Sequence, residues 1–179
     1  MEEANSGVVG MDLFLRITLH RMTDHYLIKL VRAIRAMDQE QLWRHPSQAL
    51  NSTGGIVLHI VEHVRRSAET YRATALPAHG QGIEEHFPNA GFSPDELAAT
   101  VESTFREWSE VMSRVTASEC QADDMHRLFH LVEHTGYHLG QIIDRTRTMT
   151  AVSFQFCQTG LNVRSLREFI DRRPSSGGR

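Results

Sequence analysis

The chain has 179 residues of which 40% are apolar, ample for one buried core, so a single domain spanning 1–179 is the default expectation. A formal charge of −3, from 19 basic and 22 acidic residues, provides no overall field for nucleic acid. Two cysteines, Cys120 and Cys157, exclude a disulfide framework and a thiolate zinc cluster and fit a reducing compartment. The start, Met1-Glu2-Glu3, is acidic where a signal or transit peptide would be basic. No apolar run approaches the roughly 20 residues of a membrane span. The expected location is therefore the cytoplasm, with no membrane and no nucleic-acid partner.

In chain order, Phe14, Ile17, Leu27, Leu30, Val31, Ile34 and Met37 recur at three-and-four spacing, which predicts a first helix over about 10–38. Pro46 and the run Asn51-Ser-Thr-Gly-Gly55 mark a connection. Ile56, Ile60, Val64, Ser67 and Tyr71 then predict a second helix to about residue 75. Pro77, Gly80, Gly82, Pro88 and Gly91 make the segment 76–92 the longest loop. Ser93, Pro94 and Glu96 form a capping box that opens a third helix, with Leu97, Val101, Phe105, Trp108, Met112 and Val115 as its buried stripe. Asp123 and Asp124 suit the start of a fourth helix carrying Leu128, Leu131, Val132, Leu139, Ile142 and Ile143, to about Thr148. Residues 152–157 alternate like a strand that has nothing to pair with, and read as extended chain. A short last helix over about 162–172 precedes a frayed tail, 174–179. The arginines near this end, Arg164, Arg167, Arg172, Arg173 and Arg179, read as a solvated terminus. The predicted fold class is all-α: a four-helix bundle, its core in about 10–150, with a short extra C-terminal helix.

The eleven histidines are the compositional surprise. On the fourth helix they fall at His126, His130, His134 and His138, so that consecutive members stand one turn apart and can chelate one ion. Each step of four residues also turns about 40° around the axis, because the helix repeats every 3.6 residues. His138 therefore lies at the margin of the apolar stripe, His134 further out and His126 nearly opposite. The second helix offers His59 and His63, of which helical phase alone slightly prefers His63. A third imidazole from there would leave one coordination position open, as in catalytic sites. The rival is a histidine-rich surface that merely buffers protons; His20, His25, His45, His79 and His86 read as structural. Both His59-Ile-Val-Glu-His63 and His130-Leu-Val-Glu-His134 match the HxxEH pattern of inverted zinc peptidases, a match that arises easily in a chain this rich in histidine. The Glu-x-x-His pattern of di-iron bundles does not occur.

Two segments, Ser52-Thr-Gly-Gly-Ile-Val-Leu-His59 and His130-Leu-Val-Glu-His134-Thr-Gly-Tyr-His138-Leu-Gly-Gln-Ile142, resemble the DinB/YfiT superfamily of four-helix-bundle metalloproteins. The first is similar to the family's small-residue entry into the second helix; the second is similar to its HxxxH followed by a Gly-Gln-Ile turn. The resemblance implies metal ligands His59, His134 and His138, with His63 and His130 as the alternatives, and zinc or nickel as the ion. It further implies a small-molecule substrate, a low-molecular-weight thiol as co-substrate, and a homodimer. Two classes of function follow as expectations. One is a metal-dependent transferase or hydrolase that activates water or a thiol. The other is a non-catalytic metal- or ligand-binding module, or a scaffold that has lost its metal. Glu62, Glu133 and Tyr137 are the neighbours available for proton transfer, none of them assigned as general base.

Overall fold

The computed structural model describes residues 2–72 and 82–172, and over this range the apolar spacings of the sequence resolve into helices, with no strand among the described residues. Pro77, His79, Gly80, Arg173, Arg179 and the tail from residue 174 lie outside the described residues. The first long rod starts earlier than its apolar stripe: α1 (Glu2–His20), a π-helical stretch (Arg21–Leu27) and α2 (Ile28–Arg35) follow one another without interruption. Within the widened stretch the Thr23 hydroxyl donates to the Leu19 carbonyl at 2.9 Å, offering the backbone an alternative partner, and Met22 and His25 face inward.

The rod stops because Asp38 begins another helix. Its carboxylate accepts from the Gln41 amide at 2.8 Å while the Gln41 side chain accepts from the Asp38 amide at 3.0 Å, a reciprocal cap that builds α3 (Gln39–Trp43) inside what the spacing predicted to be a plain connection. Helix α4 (Thr53–Arg72) likewise begins before the two glycines rather than after them, since Ser52 Oγ accepts from the Gly55 amide at 3.0 Å. Helix α5 (Pro94–Met112) opens on the expected box, with Ser93 N donating to Glu96 at 2.8 Å, and ends short of Val115. Helix α6 (Ala122–Thr150) opens with Asp124 accepting from the Gln121 amide at 2.8 Å and closes on Ala151 in the left-handed region, φ 56°. Residues 152–155 have no regular structure and lead into turns, and α7 (Val163–Asp171) is capped by Asn162, which accepts from Ser165 N at 3.0 Å.

The result is an all-α bundle. The rod of α1 and α2 packs against α5 and α6, α4 packs against the same two, and α7 lies along α1. Trp108, Phe105, Met22, Leu30, Ile34, Ile60, Leu97, Leu128 and Ile142 fill the middle, all essentially inaccessible. Trp108 keeps its indole N–H satisfied by donating to Ser67 Oγ at 3.0 Å. Ile17 departs from the predicted stripe and is exposed, as is Leu13, because Phe14, Leu15, Thr18 and Leu19 make up the side of α1 that packs inward. No helix among the described residues is long and apolar enough to cross a membrane.

Two glycines set how closely the surroundings approach the head of α4. A Cβ at Gly54 would meet the Trp43 ring at 2.5 Å, and that ring is pinned by Trp43 Nε1 donating to the Phe92 carbonyl at 2.7 Å. A Cβ at Gly55 would meet the Phe87 carbonyl at 3.2 Å. Gly54→Ala should therefore destabilise the protein by about 1–3 kcal/mol despite the higher helix propensity of alanine. Thermal unfolding of Gly54→Ala alone and in a Trp43→Leu background checks it: the penalty should shrink once the ring is gone.

Candidate metal centre

Helices α4 and α6 run antiparallel, so residue numbers that rise on one fall on the other, and their histidines meet in register. His59 Nε2 and His134 Nε2 stand 2.9 Å apart. His138 completes the group: one ring nitrogen from each of His59, His134 and His138 lies within 4.8 Å of the other two. Neighbouring nitrogens on a tetrahedral ion with metal–nitrogen bonds near 2.0–2.1 Å are separated by about 3.3 Å. The separations in the triad bracket that value, so the set is competent to hold a divalent metal ion after small side-chain adjustments.

Burial differs along the group as the four-residue spiral dictates. His138 is buried, His134 half-buried, and His130 and His126 exposed. On α4 the order inverts the expectation from helical phase: His59 is 1% exposed whereas His63 is only half-buried. The reason is that residues 52–60 are buried on every side, by Trp43, Phe87 and the neighbouring helices, so no single stripe defines the inside there. Phe87 stacks on His59 with ring centroids 4.3 Å apart and planes 20° apart.

Hydrogen bonds fit the triad to an ion. His138 Nδ1 lies 2.9 Å from Gln141 Oε1, a carbonyl oxygen that only accepts, so Nδ1 donates there and Nε2 is the nitrogen left for an ion. Two Nε2 atoms at 2.9 Å share one proton at most, which leaves at least one of them a free electron pair. His59 Nδ1 is buried without a hydrogen-bond partner of ordinary geometry, although the His86 backbone lies near enough to favour a protonated ring. Burial in a dry cleft lowers the pKa of His59, and the neighbouring His138 adds to the effect. Burial, then the charges of His138 and His59, brings His134 down to about 4; burial, then His134 and His59, brings His63 down to about 3. His59, His134 and His63 are thereby biased toward the neutral form that binds metals.

Neither Glu62 nor Glu133 hydrogen-bonds to the triad. Glu62 is held by Arg65 and Arg66, at 2.8 and 2.7 Å, and the Arg65 hydrogen bond leads in lowering its pKa to about 2. Glu133 is exposed, and Tyr137 is 66% exposed with its ring edge-on to His138. The HxxEH reading, which needs the glutamate to activate water, is therefore not what this geometry builds. Beside the triad, His63 and His130 line a cavity of about 220 Å³ together with Ser67, Ile83, Glu84 and Leu131. Sequence reasoning missed Phe87 and Gln141. Gln141 stands three residues after His138, a spacing that signals contact on a helix, whereas nothing in the loop composition marks Phe87. Comparison with protein-family models, curated proteins and solved structures finds no match to this chain.

The neutral rings fix a pH dependence for the metal-free protein. An unfolded histidine takes up its proton near 6.5, while the folded His134 and His63 do so only near 4 and 3. Between those limits the unfolded chain binds more protons, so stability falls as pH falls through that window and is level above it. Thermal melts with a chelator present should show a plateau above pH 7 and a decline from about 6.5 to 4. His63→Gln should shallow that decline.

Proposed function

We propose that the chain is a DinB/YfiT-type metalloprotein that holds zinc or nickel on His59, His134 and His138 and works as a metal-dependent transferase or hydrolase on a small molecule. The observation that carries this reading is the convergence of one ring nitrogen each from His59, His134 and His138, with His138 hydrogen-bonded to Gln141. Three protein ligands leave room for an exogenous one, which structural sites do not. A bound divalent ion supplies Lewis acidity, bringing a water or a low-molecular-weight thiol into its nucleophilic form near neutral pH.

The protein's own residues supply the rest. Gln141 orients His138 so that its Nε2 faces the shared point. Phe87 covers the face of His59, closing that side of the cleft to water. The approach that this reading assigns to a small substrate is the cavity bordered by His63 and His130, since the His63 ring lies 4.0 Å from that of His134. The same reading carries a homodimer and a cytoplasmic location as proposals.

Titration calorimetry with Zn²⁺ and Ni²⁺ on untagged protein tests the site. Wild type should bind tightly and His138→Ala should lose that tight binding; equal affinity in the two would remove the triad as the site. Gln141→Leu should weaken the ion by about 10- to 100-fold while leaving the fold intact. A screen of small electrophiles with several thiols, run with and without metal, should give metal-dependent turnover. Metal binding without turnover on any of them would assign the chain to the class of binding modules instead.

A further inference from the structure

The histidines form two tiers. One helical turn from the triad, His63 on α4 faces His130 on α6, with ring centroids 6.3 Å apart. His63 stands between the tiers, its ring 4.0 Å from His134 and 4.6 Å from His59. Its Nε2 is buried and has no hydrogen-bond partner, an unfavourable state unless something occupies the position. Glu84 lines the same cavity as His63 and His130, with Arg66 and Arg127 also on its wall, and its charge acts on His59 in favour of protonation.

From this arrangement we propose that His63, His130 and Glu84 form a second divalent-cation site, one turn of helix away from the triad. Two imidazoles and a carboxylate are a donor set that zinc accepts with a position left open. The cavity of about 220 Å³ provides room for the ion together with water. The tier differs from the triad in being less drawn together. Ring centroids within the triad are 4.5 to 5.0 Å apart, against 6.3 Å between His63 and His130. His130 and Glu84 are exposed and can turn inward, so the second site closes around its ion rather than awaiting it in place. Ordering two exposed side chains costs affinity, and the second ion binds at least about tenfold more weakly than the first.

The inference stands on residues that the triad does not use, so the two can fail separately. Untagged protein stripped with a chelator is titrated with Co²⁺ by equilibrium dialysis, with visible absorption reporting coordination, and with Zn²⁺ by calorimetry. Wild type should take two ions per chain in two steps. His130→Ala and Glu84→Gln, both at exposed positions, should each remove the weaker step and leave the tighter one unchanged. His138→Ala should do the reverse. One ion per chain, lost in His138→Ala and retained in His130→Ala, overturns the second site and leaves the triad standing. A second ion that survives both His130→Ala and His63→Ala also overturns it, because that ion sits elsewhere. One ion lost in His130→Ala but not in His138→Ala supports the second tier and overturns the triad. Circular dichroism of each variant separates loss of a ligand from loss of the fold.

Discussion

The antiparallel register of α4 and α6 is set from both ends. Near one end Arg145 donates to the Asn51 carbonyl at 2.6 Å; near the other the Tyr71 hydroxyl donates to Asp124 at 3.2 Å. Between those two ties His59 can only face His134 and His138, and His63 can only face His130 and His134. A slip of one turn along either helix would change which histidines are opposed, because they recur every four residues on both helices. The meeting of these histidines is thus a consequence of how two helices are registered, and polar contacts outside the cluster help to hold that register.

Bringing these rings together is unfavourable for the fold on its own. Imidazoles crowded in a cleft repel one another when protonated, and burial removes the water that would solvate the charge, which is why His63 and His134 are held neutral. Neutral rings still leave orphaned nitrogens on His59 and His63. The surroundings are correspondingly rigid: Gly54 and Gly55 let Trp43 and the Phe87 segment close over the head of α4, and Trp43 is itself tied to Phe92. A cleft that stores unsatisfied polar groups inside a well-packed shell is the form expected where binding, rather than folding, satisfies them.

Much of this was legible in the sequence, for reasons that can be stated residue by residue. Ser93 and Glu96 announce the start of α5 because the cap is a local interaction between near neighbours. The HxxxH spacing of His134 and His138 places both rings on one side of α6 for the same reason. The choice between His59 and His63 was not local. It depends on Trp43 and Phe87, which come from other parts of the chain and bury α4 on the side that its own periodicity left polar. Asp38 and Gln41 did carry a capping signature, but the five-residue helix that they cap is too short to show a period. The π-helical stretch has no pattern of its own in an apolar spacing built on 3.6 residues.

The composition of the triad also bears on what it can do. In each HxxEH segment the glutamate sits next to one histidine in sequence and therefore points away from it on the helix; Glu62 is taken up by Arg65 and Arg66, and Glu133 faces outward. Three imidazole ligands would leave a bound divalent ion its full charge, where a carboxylate ligand would cancel part of it. A fuller charge lowers the pKa of whatever occupies the open position more strongly. It also attracts an anionic fourth partner such as a thiolate. The triad itself holds no carboxylate that could take a proton, and the cavity beside it is bordered by the second tier, His63 and His130.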